Sequence, residues 1–260
     1  RAAPTEIVVI GHRDDEIVPR SHTTRLAAAA GVAPLEIAGT HNRAATVDDE
    51  GIADRAIDNA FAGGMNRIIF PAGILQPPFF DEAAEDAVNY GAIGMVIGHE
   101  ITHHFDDRGR QFDEHGNLAD WWTPEDAAAY RARADRVAAF YSRYEVLPGL
   151  FINGRQMLGE NISDLGGLQI AFDAYQIAQR RQPGAVIDGW TPAQRFFRAN
   201  AVIWRAKQRA ESLEQQIRTG QHSPSPYRVV GPMAQMPAFA AAFGCRAGDP
   251  MVATDPVAVW

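Results

Sequence analysis

Five consecutive residues, His99-Glu100-Ile101-Thr102-His103, carry the clearest chemical pattern in the chain. The segment is predicted to be helical, and residues four apart share a helical face, so both imidazoles can reach one metal ion. Glu100 lies one step round the helix from His99, beside the position that such an ion would leave open. A carboxylate there can take a proton from water. The pattern therefore predicts a zinc site with a general base.

A third protein ligand has to come from another element, because two histidines leave zinc short of its usual coordination. Glu160 and Asp164 are four residues apart near the start of a predicted helix, so they share a face. One carboxylate can bind the metal while the other accepts a histidine N–H. Asp106, three residues after His103, is a second candidate for orienting a histidine. The alternative is that these three carboxylates have no role in a metal site and are ordinary acidic residues, which are favoured at helix ends and on surfaces.

The elements around these residues are predicted to be mainly helical. An apolar pattern predicts one long helix over residues 83–105, and Gly91, Gly94 and Gly98 within it each weaken a helix by about 1 kcal/mol relative to alanine. We therefore expect a neighbouring element to pack closely against them. Three more helices are predicted: one starts at Thr123-Pro124, with threonine as N-cap, one covers 160–180, and one runs from Thr191-Pro192 to about residue 217.

The first 58 residues differ from the rest of the chain. Strand patterns at 6–10 and 35–38 and a helix pattern at 21–30 are typical of an α/β protein. The stretch 44–58 is polar and acidic, which indicates a linker, and a further strand is predicted at 66–71. The predicted organisation is an α/β segment over 1–43, a linker over 44–58 and a larger domain over 59–260.

The overall composition limits the kinds of protein to which this chain can belong. The 260 residues are 46% hydrophobic with a net charge of −8, which fits one or two globular domains and argues against nucleic acid as a partner. One cysteine, Cys245, allows no internal disulfide. No run approaches the roughly 18 apolar residues of a membrane span, and the N-terminus has no signal-peptide pattern. It also lacks methionine, so we expect a processed product or a fragment. Compartment and oligomeric state are not indicated.

Seven sequence blocks follow one another from residue 59 to the end of the chain. They are NAF (59–61), NRIIFPAGILQPPFFD (66–81), NYGAIGMVIGHEITHHFDDRGRQFDEHGNL (89–118), WW (121–122), LGENISDLGGL (158–168), HSPSPYRVVG (222–231) and the terminal Trp260. In this combination residues 59–260 resemble the catalytic C-terminal part of the neprilysin and endothelin-converting-enzyme family of gluzincin peptidases. The resemblance implies an α+β, mainly helical fold with a thermolysin-like zinc peptidase core.

The resemblance also implies roles for individual residues. The zinc ligands would be His99, His103 and Glu160, with Glu100 as general base. Asp164 and Asp106 would orient the ligand histidines, His222 would stabilise the oxyanion, and Arg228 would bind a substrate carbonyl or carboxylate.

Substrate contacts follow from the same resemblance. Asn59 and Ala60 would hold the peptide backbone along an edge strand, a mode that suits peptides of many sequences. Five bulky apolar residues would form the pocket for a hydrophobic side chain; they are Ile74, Phe79, Met95, Val96 and Trp204. The alternative for these five is plain core.

The implied function is hydrolysis of oligopeptides on the amino side of bulky hydrophobic residues, with one zinc ion per chain. Water activated at the metal would give its proton to Glu100, which would pass it to the leaving amine. One rival is a catalytically incomplete zinc-binding fragment or fusion product. A second rival, a serine esterase, lacks the G-x-S-x-G motif that it would need.

Two departures from the family pattern stand out. The chain ends Val257-Ala258-Val259-Trp260 where the family usually has Cys-x-x-Trp, which indicates a bacterial-type member without that disulfide. Family members also have several hundred residues before the NAF block, including a helical domain that covers the active site and restricts substrates to short peptides. The 58 residues that stand here do not resemble that region.

Residues 5–43 instead resemble the tail of an α/β-hydrolase. Asp15 matches the acid of that family's catalytic triad and His41 matches its histidine. An acid and a histidine without a nucleophile cannot carry out acyl transfer, so we expect this segment to add nothing to peptidase chemistry. A fusion or a misassembled reading frame is expected, and the alternative is a divergent N-terminal segment.

Overall fold

The computed structural model describes residues 6–12, 35–37, 60–63 and 67–258. Two compact units form: one comprises residues 1–84 and 114–117, and the other comprises residues 85–113 and 118–260. Several predicted features lie outside the described residues; these are the helix at 21–30, the linker at 44–58, Asp15, His41, Asn59 and Trp260.

The first unit contains a four-stranded sheet in the order β2-β1-β4-β3. Its strands are β1 (Glu6–His12), β2 (Leu35–Ile37), β3 (Phe61–Gly63) and β4 (Arg67–Pro71). β1 runs parallel to both β2 and β4, whereas β3 is antiparallel to β4. Parallel pairing of β1 with β2 is the arrangement that an α/β segment would produce.

Strand β4 is a central strand of this sheet. Ile68, Ile69 and Phe70 are all buried. Because successive strand residues point to opposite faces, burial of three in a row means that both faces of β4 are covered, as its continuous apolar sequence predicts. The chain then turns through a short 3-10 segment, Ala72–Ile74.

The second unit is helical apart from one small hairpin. Its helices are α1 (Asp86–Asn89), α2 (Met95–His103), α3 (Pro124–Tyr141), α4 (Leu158–Arg181), α5 (Pro192–Ile203), α6 (Ala210–Thr219), α7 (Tyr227–Ala234) and α8 (Pro237–Phe243). The hairpin pairs β5 (Glu145–Leu147) with β6 (Leu150–Phe151). A 3-10 turn, Gly109–Gln111, follows α2.

The long helix predicted over residues 83–105 is present but shorter and irregular. It begins at Asp86, passes through a π-helical turn at Tyr90–Gly94 and ends at His103. Its end is fixed by Asp106, whose Oδ1 accepts hydrogen bonds from the backbone N–H groups of Arg108 and Gly109 at 2.8 and 2.7 Å. Such a side-chain acceptor gives the backbone an alternative to continuing the helix.

Of the three remaining helix predictions, two are confirmed and the third is right only at its start. Thr123 caps α3 by accepting the N–H of Asp126 at 3.1 Å, as its sequence predicts. Helix α4 extends slightly beyond 160–180 at both ends. The helix predicted from Thr191-Pro192 to about residue 217 is wrong in its second half, because α5 stops at Ile203 and α6 begins anew at Ala210.

Two apolar clusters form the core of the second unit. The first joins α3 to the start of α4 through residues such as Tyr141 and Ile162. The second joins the end of α4 to α2, α5 and α8 through Leu168, Phe196 and Phe239. Helix α4 therefore runs through the centre of the unit, with apolar contacts along most of its length. None of the helices in the described residues combines the length and apolar composition that a bilayer crossing requires.

Candidate active site and metal centre

Close packing of α2 against α4 builds the site. A Cβ atom placed on Gly98 would lie 2.6 Å from the carbonyl oxygen of Gly167, and one placed on Gly167 would lie 2.5 Å from the backbone nitrogen of His99. Only glycine allows the two backbones to approach this closely. The prediction of close packing is confirmed for Gly98 and for Gly91, where a Cβ would overlap the backbone of Phe196, but not for Gly94.

Three predicted ligands converge where the two helices meet. Oε2 of Glu160 lies 3.3 Å from Nε2 of His99 and 3.7 Å from Nε2 of His103. The three residues offer ligand atoms that all lie within 4.8 Å of one another. Ligand atoms about 2 Å from a tetrahedral zinc ion are about 3.3 Å apart, so these spacings fit such an ion. Two imidazoles and one carboxylate are a known donor set of catalytic zinc, with one position left open.

The charges in the site favour a cation. Burial opposes protonation of His99, but the carboxylates of Asp164 and Glu160 outweigh it and raise the pKa of His99 to about 9. Burial likewise opposes ionisation of Glu160, yet His222 and His99 hold the pKa of Glu160 well below its usual range. Positive charge is thus stabilised among these carboxylates. A metal ion bound there would replace the proton on His99.

Each ligand histidine has a carboxylate at its second ring nitrogen. Nδ1 of His99 lies 2.9 Å from Oδ1 of Asp164, and Nδ1 of His103 lies 2.7 Å from Oδ2 of Asp106. Acceptors at Nδ1 leave Nε2 of both rings free to face the metal position. Ser163 also belongs to this group, since its Oγ lies 3.0 Å from Nδ1 of His103. We did not predict Ser163, although its spacing three residues after Glu160 places it on the same face of α4.

Arg228 is buried and paired, which its sequence position did not reveal. Its Nε and Nη2 donate hydrogen bonds to Oδ2 and Oδ1 of Asp164 at 2.8 and 2.7 Å. Its guanidinium lies over the ring of Trp204 at 4.0 Å, and Nη2 lies 3.7 Å from Glu160. Burial raises the pKa of Asp164, but Arg228 and His99 outweigh it and lower that pKa. The contacts seen for Arg228 are thus within the protein, and substrate binding by Arg228 stays a prediction.

Glu100, the predicted general base, and His222, the predicted oxyanion donor, differ in burial. Glu100 is buried on α2, and burial raises the pKa of its carboxyl group despite the opposing influence of His99 and His103. A raised pKa suits a group that must accept a proton. The side chain of His222 is 53% exposed, and its Nε2 lies 3.1 Å from Oε2 of Glu160. His222 therefore lies on the solvent side of the ligand group.

The predicted substrate residues fall into two groups. Met95 and Val96 are buried on α2, and Met95 and Trp204 contact the apolar cluster around Phe196. That packing is what the alternative of plain core predicts for Met95. In the first unit Ala60 and Ile74 are buried and Phe79 is half-buried, whereas Asn59 lies outside the described residues. A shared pocket formed by these residues stays a prediction.

Comparison with known proteins gives a consistent result. The sequence profile of peptidase family M13 matches residues 59–258. The chain is 48% identical over 210 residues to neprilysin-2 of Drosophila melanogaster, which covers 79% of the chain and 27% of that protein. It is 40% identical over 221 residues to human neprilysin, covering 82% of the chain and 29% of that protein. The chain thus spans less than a third of the length of the curated relatives it matches.

A solved structure agrees with the sequence comparisons. The zinc metalloprotease Zmp1 of Mycobacterium tuberculosis, crystallised with an inhibitor, superposes with a TM-score of 0.77 at 43% identity, over 80% of this chain and 33% of that one. The predicted α+β, mainly helical fold with a thermolysin-like zinc peptidase core is confirmed. On the profile match, the close relatives and the shared fold, this chain belongs to peptidase family M13.

Proposed function

We propose that residues 59–260 form the catalytic domain of a zinc-dependent endopeptidase that binds one zinc ion per chain through His99, His103 and Glu160. The observation that carries the proposal is the convergence of these three ligand atoms within 4.8 Å. Carboxylates at the outer nitrogens of both histidines support it. The solved relative described as a zinc metalloprotease supports it as well.

Each residue of the site has a role in this proposal. Zinc, when bound, supplies a Lewis acid that polarises the scissile carbonyl and makes a water molecule acidic. Glu100 accepts the proton of the attacking water and later delivers it to the leaving amine. His222, on the solvent side, donates a hydrogen bond to the oxyanion. Asp164 and Asp106 accept from the Nδ1–H groups of the histidines and so hold both rings in the tautomer that binds metal.

The remaining proposed roles concern the recognition of substrate. Ala60 and Asn59 hold the peptide backbone, while Met95, Val96 and Trp204 receive the bulky hydrophobic side chain of the residue on the amine side of the cleaved bond. For Ile74 and Phe79 the proposed role is likewise contact with a hydrophobic side chain of the substrate. Arg228 contacts a substrate carbonyl through the part of its guanidinium that does not face Asp164. The proposed substrates are oligopeptides cleaved on the amino side of such residues.

A second candidate is a zinc-binding fragment without peptidase activity. It is considered because these 260 residues span only 27% to 29% of the length of the curated relatives, so the activity of a whole relative does not carry over to them. Both candidates require zinc at the same site, so metal binding does not separate them. Hydrolysis of a peptide by the chain alone does.

The experiment that tests the proposal compares Glu100→Gln with a matched exposed substitution, Glu211→Gln on α6. Zinc-loaded chains are assayed with a quenched fluorescent peptide containing one phenylalanine, and zinc is counted by elemental analysis. We expect the Glu100 variant to keep its zinc and lose hydrolysis, because Glu100 is placed as a base and not as a ligand, whereas the Glu211 variant keeps both. Wild-type turnover in the Glu100 variant would overturn the assignment. An inactive wild-type chain with full zinc would favour the fragment.

A further inference from the structure

The side chain of His222 is held near the ligand group by only part of the contacts that position it. It lies in the loop between α6 and α7, and its side chain is 53% exposed. Its Nε2 nevertheless lies 3.1 Å from Oε2 of Glu160. An exposed side chain loses rotamer freedom when it is held in one place, and few packing contacts compensate for that loss here. The backbone that carries His222 must therefore be held by other contacts.

The most buried of these contacts comes from the next residue along the chain. Oγ of Ser223 donates a hydrogen bond to Oδ1 of Asn161 at 2.6 Å. Ser223 is 1% exposed and Asn161 is 0% exposed, so water does not compete for this bond. Leaving such a buried acceptor unpaired costs more than an exposed one. Asn161 directly follows Glu160 and Ser223 directly follows His222, so the bond joins the immediate neighbours of two site residues.

Three less buried contacts hold the same loop. Nε2 of Gln216 donates to the carbonyl oxygen of His222 at 3.0 Å, and Nε2 of Gln156 donates to that of Gly220 at 2.6 Å. Arg108 donates to the side chain of Gln221 at 2.9 Å. These three bonds are exposed or partly buried, whereas the Ser223–Asn161 bond is fully buried. Besides the contact of His222 with Glu160, the buried bond therefore joins the loop to helix α4.

We infer that Asn161 and Ser223 are positioning residues for His222: their buried hydrogen bond fixes the loop so that the imidazole faces the reaction site. The inference rests on the proposed function, in which His222 stabilises the oxyanion. Neither residue is assigned a contact with substrate. The inferred effect on the reaction is the one that passes through His222.

A double-mutant cycle in the full zinc-loaded chain separates positioning from general stability. We expect Ser223→Ala to lower kcat about tenfold with KM within about twofold, since a displacement near 1 Å is costly for an oriented catalytic group. In a His222→Ala background the same substitution should change kcat by less than about twofold, because the group that it positions is gone. Equal losses in both backgrounds, or a wild-type kcat in the single variant, would overturn the inference.

A second readout does not depend on activity. The ring resonance of His222 in a carbon-13 spectrum is identified by its absence in His222→Ala, and its order parameter is measured. We expect it to fall below about 0.6 in Ser223→Ala, the range of flexible groups. An unchanged order parameter would overturn the inference even if the wild-type chain hydrolyses no peptide. Inactivity of the wild type, in contrast, would count against the proposed function and not against the positioning.

Two further variants complete the design. Ser142 donates to the carbonyl of Ala138 and accepts from the N–H of Gly154, so Ser142→Ala removes comparable bonds elsewhere. This control should leave both kcat and the His222 resonance unchanged. If Ser223→Ala fails to fold, Gln216→Ala removes an exposed anchor of the same loop. It should lower the order parameter and show the same non-additivity with His222→Ala, and additive behaviour would contradict the inference.

Discussion

Replacing Gly98 with alanine should damage both the fold and the metal site. The added Cβ would lie 2.6 Å from the carbonyl oxygen of Gly167 and 2.9 Å from its Cα. Both are backbone atoms, so the clash cannot be relieved by rotation of a side chain. Helices α2 and α4 would have to separate by about 0.8 Å to reach an ordinary contact of 3.4 Å. Overpacking of this kind costs about 1–3 kcal/mol of stability.

The same separation reaches the ligands, because His99 follows Gly98 directly and Glu160 lies on the opposing helix. We expect the variant to bind zinc about 10–100-fold more weakly, the loss that a disturbed ligand environment typically causes. The melting temperature of the metal-free chain should fall by about 2–4 °C for each kcal/mol lost. Differential scanning calorimetry and competition with a chelator measure the two effects separately.

Gly94 supplies the matched control on the same helical stretch. A Cβ there would lie 3.5 Å or more from its neighbours, which are atoms of Asn89 and Tyr90. Alanine therefore fits, and it should stabilise the helix by up to about 1 kcal/mol because it has the higher helix propensity. Equal zinc affinity and equal stability in the Gly98 and Gly94 variants would refute the argument that glycine sets the spacing of α2 and α4.

Four further changes, three at the site and one in the first unit, should each have a measurable effect. Removing zinc with a chelator should lower the melting temperature, because a ligand that binds only the folded chain stabilises it, and an unchanged transition in calorimetry would count against a bound metal. His222→Ala should lower kcat by about 10²–10³ with a smaller effect on KM in steady-state assays, whereas a change in KM alone would make His222 a ground-state contact. Asp106→Ala should weaken zinc binding about 10–100-fold by chelator competition, since His103 loses the acceptor at Nδ1. Deleting residues 1–43 removes β1, the partner of β4, so the chain should melt at a lower temperature while zinc content measured by elemental analysis stays near wild type; loss of zinc would show that the second unit depends on that segment.

The parts of the site that depend on local spacing were predictable from the sequence. His99 and His103 are four residues apart on one helix, and Glu160 and Asp164 are four residues apart on another. Each pair therefore shares a helical face, whatever the packing of the two helices. The three glycines indicated that another element packs against α2. They did not indicate which element, and only Gly98 contacts the helix that supplies the third ligand.

The contacts that depend on tertiary packing were not predictable in the same way. Arg228 and Asp164 are 64 residues apart, and the residues around each of them do not indicate that the two side chains form an ion pair. The end of α5 at Ile203 carries no local signal either, because no glycine or proline stands between Trp204 and Arg209. Trp204 is the C-cap residue of α5, and its ring packs against the guanidinium of Arg228, a tertiary contact that the local sequence does not indicate.

Three strands of the first unit could be predicted from the sequence, but their order and pairing in the sheet could not. The apolar runs predicted β1, β2 and β4, yet the pairing of β1 with β4, from Glu6 opposite Arg67 to Ile10 opposite Pro71, depends on chain segments about 60 residues apart. Alternation of side chains fixes which residues share a face and leaves the neighbouring strand undetermined. The resemblance of residues 5–43 to an α/β-hydrolase tail stays a prediction.

Anomalous diffraction at the zinc absorption edge, from crystals of the chain grown without added metal or chelator, tests the central claim most directly. We expect one strong zinc peak per chain, about 2.0–2.2 Å from Nε2 of His99, Nε2 of His103 and a carboxylate oxygen of Glu160. Absence of a zinc peak even after soaking in zinc, or a peak held by other residues, would contradict it.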